Sequence, residues 1–207
     1  EPEFSLPEGF YSGPINVSLA SDDTGSSIQY TFNGKEVADT SSVYSGPISV
    51  DSTTIISAIA VALGKLNSQP VHNSYFIDDE STLPVISIIT EPTRLWGDSG
   101  IYILGPNADT VHPFNGANFK QDWQIPIYME YFTDEQDLGF EQGFGMKIYG
   151  GSSRFHEMKP LRILAKKEFG PASLGYQLFE EKEIVEFENF HLRNSGNDFN
   201  RAHFRDG

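Results

Sequence analysis

Apolar and polar positions alternate in short runs along the first 78 residues of the chain. Residues 15–19 read Ile-Asn-Val-Ser-Leu, and residues 28–32 read Ile-Gln-Tyr-Thr-Phe. A period of two is typical of strands that bury one face. The apolar runs at residues 43–44, 48–50, 54–62 and 71–77 predict further short strands. No helical periodicity interrupts them, so the pattern predicts an all-β module.

The turns between these runs indicate how the strands connect. Asn33-Gly34 follows a strand directly and predicts a two-residue hairpin turn, because both residues tolerate a positive φ. Residues 11–17 recur nearly unchanged as residues 44–50, and each copy turns the chain at Gly-Pro before a short strand. We interpret this repeat as structural. Regularly spaced turns and short strands favour an immunoglobulin- or fibronectin-like β-sandwich over residues 1–78.

A second module is predicted after a short acidic linker at residues 79–82. It covers residues 83–207 and opens with a strand at 85–89 and one helical turn over 92–96. Further strands are predicted at 100–104, 125–132, 144–149, 161–165 and 185–192. We expect a loop at 107–121. No segment has the pattern of a long amphipathic helix, so this module is also expected to be rich in strands.

Composition and charge exclude several classes of protein. The 207 residues are 21% charged and 13% aromatic, which is ordinary for a globular protein. The longest apolar run, residues 55–63, is too short to cross a bilayer, so no membrane insertion is expected. The absence of cysteine excludes thiolate catalysis and cysteine-ligated zinc. A formal net charge of −15 repels nucleic acid, so no nucleic-acid partner is expected.

The basic residues are concentrated in one part of this acidic chain. Residues 147–167 contain six lysines and arginines and one acidic residue, and they include the sequence Gly150-Gly151-Ser152-Ser153-Arg154. A glycine-rich turn with nearby Arg and Lys can bind phosphate through backbone N–H groups and side chains. Two alternatives stay open: a plain hairpin, and a strand pair with a basic solvent face. The turn lacks the Gly-Lys-Ser/Thr ending of a Walker A loop, and HExxH and G-x-S-x-G motifs are absent.

The first module resembles a known accessory domain. The resemblance is carried by Phe4-Ser5-x-Pro7-x-Gly9-x-Tyr11, residues 28–34, Tyr44-x-x-Pro47-Ile48, residues 53–58 and Gly64…Ser68. This order is similar to the chitobiase/β-hexosaminidase C-terminal-type domain of secreted bacterial proteins, although Asn33 stands where that family has Asp. The resemblance implies a spacer or accessory β-sandwich without chemistry of its own.

The second module resembles the amino-terminal part of the CotH family, the spore-coat kinase-like proteins. Six separated blocks keep the family's order: residues 83–88; Leu95-Trp96…Gly100-Ile101-Tyr102; Asn118-Phe119…Trp123; residues 130–132; Gly150-x-x-Ser153-Arg154…Lys159-x-Leu161-Arg162; and residues 192–194 with Gly196-Asn197-Asp198…Arg205-Asp206. The resemblance implies a β-rich, partial kinase-like (α+β) domain, so the expected fold class of the chain is mainly β.

The CotH resemblance also implies a function. Arg154, Lys159 and Arg162 would lie near nucleotide phosphates, with Lys159 as the candidate for the phosphate-binding lysine. Pro160 follows that lysine where the family has Ser or Thr. The block formed by Asn197, Asp198, Arg205 and Asp206 would lie beside the site or have a structural role. The parent protein would use ATP and Mg²⁺ to phosphorylate protein side chains.

We expect the chain to end before the family's catalytic and metal-binding acids. It is therefore predicted to be catalytically silent, with no catalytic residue of its own, even where the parent is a kinase. The resemblances imply a secreted or envelope protein of a bacterium, acting on protein or on cell-surface or polysaccharide material. Strand edges left unpaired in a truncated module favour a dimer.

Two other functions compete with the kinase interpretation. One is non-catalytic carbohydrate binding through exposed aromatic faces, for which the candidates are the chain's two tryptophans, Trp96 and Trp123. The other is adhesion or scaffolding without either ligand. Sugar binding would persist in EDTA and without ATP, whereas a kinase-like site would depend on nucleotide and metal.

Overall fold

The structure, a computed structural model, describes residues 1–194, and most of its ordered elements are strands. The first nine strands are β1 (Pro2–Phe4), β2 (Gly9–Tyr11), β3 (Ile15–Val17), β4 (Leu19–Ser21), β5 (Ser26–Phe32), β6 (Ser42–Val43), β7 (Ile48–Val50), β8 (Thr54–Ala62) and β9 (Val71–Ile77). The next five are β10 (Val85–Ile89), β11 (Ile125–Phe132), β12 (Leu138–Ile148), β13 (Leu161–Leu164) and β14 (Asn189–Leu192). One helical turn, α1 (Thr93–Trp96), and two 3₁₀ turns, Asn118–Lys120 and Ser152–Phe155, complete the set.

Strands β1 to β9 form the predicted β-sandwich. A five-stranded sheet has the order β2-β9-β8-β5-β6, in which β2 pairs with β9 in parallel and the β9–β8, β8–β5 and β5–β6 pairs are antiparallel. Two-stranded pairs β1–β4 and β3–β7 supply the opposing layer. Val17 and Ile48 from that layer pack with Ile56, Ala58 and Tyr75 of the larger sheet in one buried cluster. Burial of this cluster is the main stabilising contribution to the module.

The repeated sequence has a structural role that the sequence did not reveal. Residues 15–17 and 48–50, the ends of the two copies, are β3 and β7, and they pair with each other in antiparallel register. Ile15 faces Val50, and Val17 faces Ile48. Two nearly identical strands therefore pair with each other, and their isoleucines and valines lie in or against the buried cluster.

The Asn33-Gly34 turn forms as predicted, but it does not lead directly into a paired strand. Asn33 and Gly34 both have positive φ, 54° and 76°, and the N–H of Lys35 donates to the carbonyl of Phe32. The chain returns to β5 only at β6, where Val43 faces Gln29. Residue 36 is not part of a strand, and the N–H of Glu36 donates to the Glu91 carboxylate at 2.8 Å.

A second five-stranded sheet has the order β10-β11-β12-β13-β14. Its first two strands have the predicted bounds, and α1 lies within the predicted helical turn. The prediction of a strand at 100–104 is wrong, because Ile101 and Tyr102 donate their N–H groups back to the carbonyls of Arg94 and Leu95. The strand predicted at 185–192 begins only at Asn189, while Phe187 forms an isolated bridge with Leu174.

The described chain is mainly β, in several sheets, as predicted. By Cα proximity it divides into two compact units. One comprises Glu1–Glu91 and Tyr128–Glu141, and the other comprises Pro92–Ile127 and the described residues from Gln142 onward. This division assigns β10 to the unit of the sandwich, so the boundary at 79–82 and the two predicted modules stay predictions. Among the described residues, no helix is both long and apolar enough to span a membrane.

Candidate functional site

The predicted basic cluster lies around the turn between β12 and β13. Arg154 belongs to the 3₁₀ turn after Gly150-Gly151 and is bound to backbone carbonyls. Its Nε donates to Gly150 O at 2.6 Å, and its Nη1 donates to Lys120 O at 3.1 Å. Gly150 has a φ of +101°, and a Cβ there would contact Pro160 at 3.2 Å. Arg154 therefore holds the glycine turn in place.

Lys159 is held on an aromatic surface. Its Nζ donates to His156 O at 2.8 Å and lies 4.4 Å from the centre of the Phe119 ring and 5.5 Å from that of Tyr102. The Tyr102 hydroxyl accepts the Lys159 N–H at 2.8 Å. Burial lowers the pKa of this ammonium from its ordinary value. The rings interact with the cation through their negative faces, which offsets part of its lost hydration.

Arg162 lies on β13 opposite Lys147 of β12 and extends over a pair of stacked rings. Its guanidinium carbon is 5.7 Å from the centre of the Tyr149 ring, and that ring stacks on His191 at 4.2 Å and 22°. Arg162 Nη2 donates to Asn189 Oδ1 at 3.1 Å. Arg162 Nε is buried and has no hydrogen-bond partner among the described residues.

A small pocket opens beside this stack, and we call it the Gly150 pocket. Its volume is about 250 Å³. It is lined by Tyr149, Gly150, Ser153, Pro160, His191, Arg193 and Asn194. Asn194 shapes it by donating its amide to the carbonyls of Ser153 and Met158. Partial burial, followed by the positive charges of Arg162 and Arg193, lowers the pKa of His191.

The structure brings the predicted cations to one region but gives them different surroundings. Arg154 and Lys159 are bound to carbonyls and rings, whereas Arg162 faces a wall of the Gly150 pocket. The assignment of Lys159 as a phosphate lysine stays a prediction. The other candidates, Asn197, Asp198, Arg205 and Asp206, lie outside the described residues.

Sequence reasoning missed His191 and Arg193 as pocket residues. Both belong to or adjoin the Leu192-Arg193-Asn194 block that carries part of the CotH resemblance, and that block was the available signal. They reach the pocket because β14 pairs with β13, so that His191 faces Arg162. This register could not be obtained from the strand pattern alone, because the predicted strand began four residues early.

The arrangement suits an anion better than a metal ion. Arg side chains and a serine hydroxyl donate hydrogen bonds to oxyanions, and the local charge is positive. Within residues 1–194, no three His, Asp or Glu side chains are grouped so that they could hold a metal ion.

Comparison with known proteins matches part of the β-sandwich to a known family. Residues 6–73, about a third of the chain, match the model of the chitobiase/beta-hexosaminidase C-terminal domain family. The match confirms the resemblance of the β-sandwich to that family, and the fold of β1 to β9 agrees with it. No curated protein and no solved structure matches the chain.

Proposed function

We propose that the Gly150 pocket binds phosphate groups of a nucleotide, as part of a CotH-like domain in a secreted or envelope protein. The main observation that supports this proposal is the positive charge at the pocket. Arg193 lines it, and Arg162 stacks on its Tyr149 wall. Partial burial is the largest cause of the lowered pKa of His191, and the positive charges of Arg162 and Arg193 add to it. The two guanidinium charges, which disfavour a protonated histidine, would favour an anion by the same Coulomb interaction.

The volume and donor set of the pocket support phosphate rather than a whole nucleotide. A cavity of about 250 Å³ falls below the roughly 300–1,000 Å³ of sites that enclose small molecules. Ser153 and Arg193 would donate to the phosphate oxygens. Arg162 is not among the lining residues, so its contribution to the site would be its charge.

The wider function follows from the CotH resemblance. The parent protein would transfer phosphate from ATP to protein side chains, with ATP supplying the phosphoryl group and Mg²⁺ neutralising its charge. The residues of this chain would bind and orient the phosphates, and turnover is proposed for the parent. This proposal rests on the six sequence blocks and the charge at the pocket, because the family match covers only the first module.

Titration with pyrophosphate tests the binding step. We expect calorimetry in metal-free buffer to show binding to the intact chain and a loss of about ten-fold or more in affinity for Arg193→Gln, because a charge-assisted hydrogen bond contributes about 1.5–3 kcal/mol. Lys167→Gln is the matched control. It removes one exposed positive charge in the same unit and should change the affinity less than two-fold. Equal losses in both variants, or no heat of binding, would contradict the proposal.

A further inference from the structure

A larger groove lies in the same unit, formed by residues outside the Gly150 pocket. Its volume is about 820 Å³, within the range of ligand-binding clefts. Trp123 lines it with 44% of its surface exposed, and Phe169 and Pro126 supply further apolar area. An exposed tryptophan in a cleft of this size is an open aromatic platform. We call this cleft the Trp123 groove.

Contacts with neighbouring elements position Phe169 and the segment that carries Trp123. Phe169 lies against β12, where a Cβ on Gly145 would come within 2.5 Å of its ring and a Cβ on Gly143 would overlap its carbonyl oxygen. Trp123 lies in the four-residue segment between the Asn118–Lys120 turn and β11. Its neighbour Gln124 accepts a hydrogen bond from Lys166 Nζ at 2.6 Å, which ties this segment to the one after β13.

The charges that line the Trp123 groove are of both signs. Arg94 and Lys166 contribute two positive charges, and Asp122 and Glu168 contribute two negative charges. The hydrogen bond from Lys147 lowers the pKa of Asp122, so this carboxylate is ionised at neutral pH. The wall therefore presents charges of both signs, and a ligand with many hydroxyl groups finds both donors and acceptors there.

We propose that the Trp123 groove binds a neutral oligosaccharide. The C–H groups on one face of a pyranose ring would stack on the Trp123 ring, whose face carries partial negative charge. The ring hydroxyls would donate to the carboxylates of Asp122 and Glu168 and accept from Arg94. This site is separate from the phosphate pocket, so either proposal can fail without the other.

Tryptophan fluorescence gives a direct test, because the chain has two tryptophans. In a Trp96→Phe variant of the full chain, Trp123 is the remaining reporter. We expect cellohexaose or chitohexaose to shift its emission, with saturation at or below about 1 mM, and we expect EDTA to leave the titration unchanged. Pyrophosphate should leave the Trp123 emission unchanged. If neither sugar shifts the emission, or if pyrophosphate does, the proposal is overturned.

Calorimetry on a matched pair of variants locates the site. Trp123→Ala should weaken sugar binding at least ten-fold, whereas Trp96→Ala, which removes an equally large exposed ring outside the groove, should change affinity less than two-fold. Equal losses in the two variants would overturn the assignment. The fluorescence titration does not require Trp123→Ala to fold, so the proposal stays falsifiable if that variant is unstable.

Discussion

Glu130 is a carboxylic acid enclosed in the interior, with 0% of its surface exposed. It lies on β11 directly opposite Ser87, whose hydroxyl is hydrogen-bonded to that of Ser74 at 2.7 Å. Neither carboxyl oxygen has a partner in bonding geometry among the described residues. Burial, aided by the negative charges of Glu8 and Glu141, raises the pKa of Glu130 to about 8, and Ser74 offsets only part of that shift. The side chain is therefore mostly protonated at neutral pH.

His72, a partly buried residue in the same unit, has a pKa that is lowered rather than raised. His72 accepts or donates a hydrogen bond with Ser57 at 2.8 Å through Nδ1, and burial lowers its pKa to about 4. Ser57 is itself buried, which excludes this pair as a nucleophile and base acting on a substrate. Between about pH 4 and 6.5, the unfolded state holds a His72 proton that the folded state has lost. Between about pH 4.5 and 8, the folded state holds a Glu130 proton that the unfolded state has lost. With rising pH, the His72 effect therefore increases the free energy of unfolding and the Glu130 effect decreases it. The two effects oppose each other between about pH 4.5 and 6.5.

The contribution of Glu130 should stand alone between about pH 6.5 and 8. In that range the folded state keeps a proton that the unfolded state has lost, so the unfolding free energy should fall by at most about 1.4 kcal/mol per pH unit. Glu130→Gln should abolish this fall and be more stable than the parent chain at pH 8. Urea unfolding at several pH values measures it, with exposed Glu135→Gln as the control. A Glu130→Gln variant with the parent's pH dependence would contradict the assignment.

At the scale of elements, β12 is longer than predicted, and two of its glycines form a packing surface. The alternating pattern predicted a strand only from Phe144, whereas β12 begins at Leu138. Gly143 and Gly145 leave one face of the strand bare, and the Phe169–Gly170 turn lies in that space. A sequence pattern that scores apolar residues does not detect glycines that serve as a packing surface.

Added methyl groups on β12 should test this packing. Gly145→Ala should destabilise the chain by about 1–3 kcal/mol, because the new Cβ displaces the Phe169 ring. The cost should largely vanish in a Phe169→Ala background, since no ring is then displaced. Gly175→Ala is the control, because a Cβ there meets nothing within 4 Å. Thermal and urea unfolding of the four variants completes the comparison, and additive losses for Gly145→Ala and Phe169→Ala would refute it.

At the scale of the whole chain, the sandwich has its own hydrophobic core, and one of its outer surfaces packs against Phe132 of β11. Its nine-residue buried cluster lies entirely between Val17 and Ile77. On its outer side, Phe10 stacks on Phe76 at 4.5 Å, and Phe132 packs edge-on against both at 5.6 and 5.3 Å. A boundary at residues 79–82 would expose this aromatic surface.

A chain of residues 1–82 should therefore fold cooperatively but with reduced stability. Loss of the Phe132 ring uncovers two aromatic side chains, and we expect a decrease of about 1.5–3 kcal/mol in the free energy of unfolding. Phe132→Ala in the full chain is the matched variant, because it removes the same ring without shortening the protein. Urea unfolding followed by far-UV circular dichroism measures both. A chain 1–82 without a cooperative transition would show that the predicted boundary does not delimit a domain.

The candidate site was predicted in part. Basic residues near a glycine turn could be read directly from residues 147–167, and the structure places this turn between β12 and β13. The role of each cation could not be predicted from the sequence, because it depends on contacts with residues distant along the chain. Lys159 is held by Phe119, and Arg154 by Lys120, each more than thirty residues away. Neither spacing nor charge indicates which cation faces carbonyls and which faces a cavity.

The sequence by itself determined the local structure of this protein. Alternating apolar and polar residues set β5, and apolar runs set β8, β9, β10 and β11, because strands bury either one face or both. Asn33-Gly34 set its turn through backbone sterics alone. Only the tertiary structure decided which strands pair, that the two copies of the repeat face each other, and that Trp123 and Arg193 line cavities. Pairing and cavities depend on long-range packing, which joins residues that no local pattern relates.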